Sequence, residues 1–266
     1  MGSYATVSLM NQEAGTLTSL FYSGNFATLV NRAILDGGSS FDPEDTPLVI
    51  GSLAALGQTG DAELLLSHQA EILSTDDLIF SLYHLAVAQV AAGKYDVARR
   101  HLARAFGLRN HPISDQGLSF IYQGIAYYRY ATGRLANAIR CVHRAGEFAR
   151  RAGSPYVSML WHELLGHAFV LTGDVQSGLH ELDLASALAR QTDRRQVLKS
   201  LRIATVIYRA RYVQLPSDAV TSLKAELKEL APGEKFAKAS LLLELIRQDS
   251  VARRLMPARQ NLAEAA

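Results

Sequence analysis

The chain has 266 residues, of which 48% are hydrophobic and 20% are charged, so it can build a buried core and is not globally disordered. Its single cysteine, Cys141, excludes an internal disulfide framework and is typical of a reducing compartment. The net charge of +2 is unevenly divided, since residues 1–80 carry ten acidic side chains against Arg32 alone, whereas residues 81–266 carry 26 basic and 15 acidic ones. We therefore expect two regions of opposite charge, which would orient encounters with other molecules.

The sequence offers no signal for export or for membrane insertion. No basic stretch followed by an apolar run opens it. The most apolar window, Leu78 to Ala92, is too short to cross a bilayer and contains His84 and Gln89. We therefore predict a cytoplasmic protein without membrane insertion.

Helix starts are predicted along the chain where Ser, Thr or Asp is followed by Pro or an acidic residue, because these residues cap the free amides of a first turn. Such signals stand at Thr46-Pro47, Thr75-Asp76-Asp77, Ser114-Asp115, Ser154-Pro155 and Asp193. Turns between paired helices are predicted at Ser23-Gly24-Asn25, Thr59-Gly60-Asp61, Leu215-Pro216-Ser217 and Gln248-Asp249-Ser250. With the stronger turns described next, these signals predict about seven helix hairpins and no strand.

Three segments in the middle of the chain align with one another at an offset of 40 residues. The columns of small residues are Gly93, Gly133 and Gly173, then Ala98, Ala138 and Gly178, then Ala105, Ala145 and Ala185. A glycine ends a helix in the left-handed conformation at little cost. Apolar residues recur at steps of three and four on both sides of each glycine, which is the helical period. Each segment is therefore predicted to be helix, tight turn, helix, and such hairpins must stack to bury their apolar faces.

These columns resemble the tetratricopeptide repeat, whose first helix carries an aromatic residue, Leu-Gly and Tyr, and whose second helix carries Ala, Phe and Ala. Its first-helix positions are occupied here by Leu82, Leu85, Ala86, Tyr122, Ile125, Ala126, His162, Leu165, Gly166 and Phe169. The resemblance implies an all-α, right-handed superhelical solenoid of antiparallel hairpins. Because the period exceeds the family's usual length of about 34 residues, the resemblance is to the long-helix variant of bacterial regulators. One repeat domain would cover 1–266, with the best-matching repeats at 76–113, 114–153 and 154–192 and degenerate hairpins at 8–45, 46–74, 193–231 and 233–264.

The segment from His162 to His167 is similar to a zinc-protease motif, but the spacing is wrong for one. That motif places two histidines four residues apart on one helix face, whereas these two are five apart. We therefore predict no metal site. Cys141 stands among apolar neighbours and is expected to be an inert thiol. Since the sequence also has no phosphate-binding loop and no nucleophile elbow, it predicts no cofactor and no enzymatic activity.

The resemblance further implies a concave groove lined by first-helix side chains that flank the core columns. We predict partner contacts at Phe80, Tyr83, Phe120, Gln123, Tyr127, Tyr130, Glu163, His167, Tyr208, Arg211 and Tyr212. Tyrosine and arginine commonly anchor protein interfaces because they combine a large contact area with polar ends. The alternative for this set is burial between neighbouring hairpins.

A second candidate surface is a basic side on the second helices. Its residues are Arg99, Arg100, Arg104, Arg140, Arg144 and Arg151. It is either a solvated face or a contact for an acidic protein. No DNA- or RNA-binding module accompanies these arginines, which argues against nucleic acid as the partner.

From these patterns we expect a non-enzymatic scaffold or adaptor that holds a protein or peptide, an acidic one in particular, in the groove or along the basic side. Oppositely charged ends would also allow homo-oligomers to form. The alternative is a sensory or regulatory module of a bacterial signalling pathway that binds a peptide or small ligand in the same groove. A repeat fold alone does not distinguish a scaffold from a sensory module.

Overall fold

The computed structural model describes residues 16–37 and 44–212, and within these ranges the chain is all-α, with no strand. The elements in chain order are α1 (Leu17–Ser23), α2 (Phe26–Gly37), α3 (Thr46–Ala55), α4 (Thr59–Gln69), α5 (Thr75–Ala91), α6 (Tyr95–Gly107), a short 3-10 turn (Leu108–Asn110), α7 (Asp115–Ala131), α8 (Leu135–Ala152), α9 (Pro155–Leu171), α10 (Val175–Gln191) and α11 (Arg195–Tyr212). The prediction of an all-helical chain is confirmed for this part of the sequence.

The three aligned segments share their helix starts and helix ends. Ser74, Ser114 and Ser154 cap α5, α7 and α9, and each hydroxyl accepts a hydrogen bond from the backbone N–H three residues later. Gly93, Gly133 and Gly173 end the same helices with φ angles of 73°, 75° and 93°. Glycine adopts this left-handed conformation without a steric penalty. The repeat columns therefore correspond to repeated local structure.

One predicted turn is wrong by three residues. We placed it at Thr59-Gly60-Asp61, but these residues form the first turn of α4. The left-handed residue is Gly57, with φ 81°. Its N–H donates to the carbonyl of Ala54 and the next N–H, of Gln58, donates to that of Leu53, which closes the C-terminus of α3. The turn predicted at Ser23-Gly24-Asn25 is present, with Gly24 at φ 79°. Those predicted at Leu215-Pro216-Ser217 and Gln248-Asp249-Ser250 lie outside the described residues.

Helices pack mainly against their neighbours in the chain. The closest pairs are α5 with α6, α7 with α8, and α9 with α10, and α3, α5, α7 and α9 also pack in sequence against one another. Small residues stand where helices approach, since Ala98, Ala138 and Ala145 are buried. At the α9–α10 crossing, a methyl group on Gly178 would lie 2.8 Å from the carbonyl oxygen of Gly166. The small-residue columns thus set how closely paired helices approach.

Two further sequence predictions concern membrane insertion and the degenerate hairpins. No helix in the described ranges is long and apolar enough to cross a membrane. The degenerate hairpin predicted at 233–264 lies outside the described residues, as do residues 8–15, 38–43 and 213–231 of the neighbouring hairpins.

Candidate functional site

A cavity of about 200 Å³ lies between the odd-numbered helices, which are the first helices of successive pairs. Helices α1, α3, α5, α7, α9 and α11 supply most of its lining. The first helix of this series meets the fifth, because the ring centroids of Tyr22 in α1 and Tyr156 in α9 are 5.2 Å apart. The wall predicted as an open groove is therefore partly covered by the chain itself.

Tyrosines make up much of the cavity wall: Tyr22, Tyr83, Tyr127, Tyr130 and Tyr156. The rings of Phe21, Phe80 and Phe120 form a continuous series of contacts, with neighbouring centroids 5.4–5.6 Å apart. Phe21 also lines the cavity, and Phe80 and Phe120 stand behind the wall. Burial raises the pKa of Tyr22, Tyr83, Tyr127 and Tyr130 above the usual value of a phenol. These four hydroxyls are therefore neutral at physiological pH and can donate or accept hydrogen bonds.

His84 lines the cavity on α5 and is surrounded by rings. Its ring lies 4.4 Å from that of Phe80 and 5.4 Å from that of Phe21, measured between centroids. Burial lowers the pKa of His84 to about 3, so the imidazole is neutral at physiological pH. Its Nε2 lies 3.5 Å from the hydroxyl of Tyr156, which makes it a weak partner for that group.

Gln123, which is 1% exposed, carries an unsatisfied acceptor at the cavity wall. Its Nε2 donates to Ser119 Oγ at 2.9 Å and to the carbonyl of Val157 at 3.3 Å. Because the Ser119 hydroxyl itself donates to the carbonyl of Ala145, both acceptors require the amide nitrogen, and the orientation of the Gln123 amide is fixed. Its Oε1 then has no hydrogen-bond partner among the described residues. A buried acceptor of this kind is satisfied by a water or by a ligand that supplies a donor.

Glu163 and His167 stand one helical turn apart on α9 and form the other polar part of the lining. Glu163 Oε1 lies 3.9 Å from His167 Nε2. The opposite ring nitrogen, His167 Nδ1, makes a 2.7 Å hydrogen bond with the hydroxyl of Tyr208 in α11. This contact joins α11 to α9.

Arg194, in the turn before α11, is 4% exposed and lines the cavity. Its guanidinium carbon lies 3.8 Å from the ring centroid of Tyr22 and 4.2 Å from that of Tyr156. Its Nε donates to Thr192 Oγ1 at 2.9 Å. Arg194 therefore connects the turn before α11 to both α1 and α9.

The predicted groove residues divide into three groups. Six line the cavity together: Tyr83, Gln123, Tyr127, Tyr130, Glu163 and His167. Phe80, Phe120 and Tyr208 are buried behind the wall, with Phe120 and Tyr208 each 1% exposed. Arg211 and Tyr212 belong to the last turn of α11, and their side chains lie outside the described part of the structure. Helical spacing thus brought most of the set to one place, but not to an open surface.

Sequence reasoning missed Tyr22, His84, Tyr156 and Arg194. Tyr22 lies in a short helix ahead of the repeats, and Arg194 follows a Thr-Asp turn in which Asp193 stands where the preceding repeat has Gly153. The backbone turns in the left-handed region at both positions, with φ 63° at Gly153 and φ 49° at Asp193. The change from Gly153 to Asp193 is the one sequence signal that could have pointed to this turn.

The predicted basic side lies on α6 and α8, and all six of its arginines are exposed. Arg144 pairs with Glu147, and Arg151 pairs with Asp115 at 2.9 Å. Arg140 donates to the side chain of Asn137. Arg99, Arg100 and Arg104 make no ion pair in the described part of the chain.

The two histidines of the motif similar to that of zinc proteases have separate internal partners. His162 Nδ1 lies 2.6 Å from Glu181 Oε2, and His167 Nδ1 bonds Tyr208. In the described ranges, no three His, Cys, Asp or Glu side chains are grouped as metal ligands would be. Cys141 is buried, burial raises the pKa of its thiol, and Arg129 opposes that rise. A raised thiol pKa disfavours the nucleophilic thiolate.

Comparisons with protein-family models, with curated proteins and with solved structures give no match for this chain.

Proposed function

We propose that this chain is a non-enzymatic, tetratricopeptide-like regulatory module that binds a small ligand in the cavity between its first helices. The solenoid arrangement of that family is part of the proposal. The single observation that carries it is the cavity lined by aromatic residues, in which the carbonyl oxygen of Gln123 is buried without a donor. Ligand pockets in proteins typically combine such apolar walls with a few oriented polar groups.

The same observation favours the small-ligand alternative over a protein held in the groove. Tyr83, Gln123 and His167 are buried in this state, so a peptide or helix would reach them only after α1 separates from α9. A small molecule reaches these side chains with only the opening that its own entry requires. Its contacts with α1, α5, α7, α9 and α11 would instead stabilise the packing of these helices. Binding would thereby shift the chain towards this arrangement, which a partner elsewhere on the chain would recognise.

A fragment screen by ligand-observed NMR tests this function. The library would contain molecules of roughly 7–12 non-hydrogen atoms, because one water occupies about 30 Å³ and the cavity holds only a few such volumes. Val87→Trp would fill the cavity from α5, where Val87 is half-buried in the lining. We expect bound fragments to lose their signal with this variant and to keep it with Leu184→Trp, an exposed position on α10. Fragments that bind both variants equally would contradict the proposal.

A second candidate is a protein contact along the basic side, which is favoured by Arg99, Arg100 and Arg104 being exposed and outside any ion pair in the described residues. The acidic N-terminal region supplies one partner of suitable charge, a second copy of the chain. Sedimentation velocity at low and high salt would test this. Self-association at low salt that is lost in the Arg99→Glu/Arg104→Glu variant supports the contact, and a monomer under both conditions excludes the second copy.

A further inference from the structure

Arg194 is a buried cation whose neighbours are aromatic rather than acidic. It is 4% exposed, and its guanidinium packs against the rings of Tyr22 and Tyr156 at 3.8 and 4.2 Å. Within residues 16–37 and 44–212, no Asp or Glu forms an ion pair with it. Buried charges in proteins are normally paired, because removal from water is costly.

The groups already around Arg194 satisfy it incompletely. Burial lowers the pKa of the guanidinium, while the phenols of Tyr156 and Tyr22 raise it, and an arginine stays protonated in either case. An aromatic ring stabilises a cation that lies over the face of the ring. The in-plane N–H donors of the guanidinium need hydrogen-bond acceptors, which are Thr192 Oγ1 for Nε at 2.9 Å and the hydroxyl of Tyr22. Such a fork of donors matches the oxygens of a carboxylate or phosphate.

Arg194 belongs to the lining of the cavity, so its positive charge lies beside any ligand bound there. Helix α11 begins at the next residue, so the positive end of its dipole adds to the charge. Tyr83 on α5 and Glu163 on α9 line the same cavity as Arg194. An anionic group is therefore favoured beside Arg194, and an apolar group beside Tyr83.

We propose that the cavity binds a small amphipathic anion whose charged group pairs with Arg194 and whose apolar body contacts Tyr83 and Tyr156. This rests on the proposed function, which makes the cavity a ligand site. The cavity of about 200 Å³ equals the volume of about six or seven waters at ~30 Å³ each, enough for a ligand of roughly ten non-hydrogen atoms. An N–H or O–H group on such a ligand would satisfy Gln123 Oε1.

Four probes with the same phenylalkyl body and different end groups test the charge preference. They are 3-phenylpropionate, its neutral amide 3-phenylpropionamide, 2-phenylethylphosphonate, and the cation 3-phenylpropylamine. Binding of each to the full chain would be measured by isothermal titration calorimetry or by ligand-observed NMR. We expect the carboxylate or the phosphonate to bind roughly 10–100-fold more tightly than the amide, which is the effect of a hydrogen bond to a charged group. The stronger of the two anions identifies whether the natural group is a carboxylate or a phosphate.

Variants then assign the preference to Arg194. Arg194→Met should lower the affinity of the preferred anion to that of the amide and leave the amide unchanged. Arg195→Met is the matched control, because Arg195 is exposed and pairs with exposed Asp193 at 3.2 Å. If Arg194→Met does not fold, as shown by circular dichroism, the comparison of the four probes on the wild type decides the matter.

The outcomes separate this inference from the proposed function. An amide or amine that binds as tightly as both anions overturns the recognition of an anion and leaves the cavity as a ligand site. Failure of all four probes at millimolar concentration overturns the inference, and the fragment screen with Val87→Trp then decides the proposed function independently. An anion preference that persists in Arg194→Met also overturns it, because the charge would be recognised elsewhere.

Discussion

The guanidinium of Arg194 lies 3.8 Å from the ring centroid of Tyr22, so the turn before α11 holds α1 in place. Helix α1 is seven residues long, packs on α2 and α3, and also contacts α5 through Phe21 and α9 through Tyr22. A helix this short is not stable alone in water. The cation–π contact therefore couples the position of α1 to that of α11 across the cavity.

Tyr22→Leu should release α1 while Tyr22→Phe should not. A cation–π contact removed from solvent is worth up to about 2 kcal/mol, and leucine loses it whereas phenylalanine keeps the ring. Hydrogen exchange measured by mass spectrometry should show faster exchange in α1 for the leucine variant, with exchange in α8 unchanged. Equal exchange in the two variants would mean that the ring of Tyr22 does not hold α1.

Stability should depend on pH through His84. Its pKa is lowered to about 3 in the folded protein, whereas an unfolded histidine titrates near pH 6.5. The unfolded chain therefore binds more protons below pH 6.5, and the stabilisation present above that pH is lost as the pH falls towards 3. We expect the free energy of unfolding to fall by about 1–2 kcal/mol between pH 7.5 and 5.0 on account of this group.

Urea unfolding at pH 7.5 and 5.0 measures this effect. In His84→Gln the difference between the two pH values should shrink by that amount, because the side chain no longer titrates. His68→Gln, at an exposed histidine on α4, is the control for the loss of an imidazole. A pH difference that is the same in wild type and His84→Gln would contradict the assignment.

The α9–α10 crossing should not accept a methyl group. A Cβ on Gly178 would lie 2.5 Å from Val170 Cγ2 and 2.8 Å from the carbonyl oxygen of Gly166, so the backbone must move. We expect Gly178→Ala to lower the free energy of unfolding by about 1–3 kcal/mol, as overpacking commonly does. Gly107→Ala should instead raise it by about 0.4–1 kcal/mol.

The control is well matched because Gly107 has helical backbone angles, φ −59° and ψ −32°, and no atom lies within 4 Å of a Cβ built there. Chemical denaturation of both variants gives the comparison. Alanine is the better helix former, so helix propensity alone would stabilise both variants. Destabilisation of similar size in both would therefore show that the loss at Gly178 does not arise from the close approach of α9.

Local features were predicted from the sequence because they depend on residues close together in the chain. The predicted caps at Ser114 and Ser154 and the left-handed glycines each need only their own turn, whereas the start predicted at Thr75 is capped one residue earlier, by Ser74. The error at Gly60 arose where two glycines stand three residues apart. Gly57 takes the turn because its amide and that of Gln58 close the end of α3.

The enclosed site could not be predicted in the same way. Helical spacing places Tyr83, Tyr127 and His167 on one wall, but it does not say what faces that wall. The residues that face this wall depend on how successive hairpins pack, which brings Tyr22 into contact with Tyr156 and Arg194. No local pattern encodes this contact, so an open groove was expected where the chain forms a cavity.

The hydrogen bond between His167 and Tyr208 gives a final prediction, which concerns the docking of α11. Its atoms, His167 Nδ1 and the Tyr208 hydroxyl, are 2.7 Å apart and both residues are buried. Tyr208→Phe keeps the ring and leaves the imidazole nitrogen without this partner, which should lower the free energy of unfolding by about 1–3 kcal/mol. Tyr128→Phe is the control, since its hydroxyl makes no hydrogen bond in the described residues, and it should change stability by less than about 0.5 kcal/mol. Urea denaturation of the two variants compares them directly. Equal, small effects would show that the bond does not secure α11.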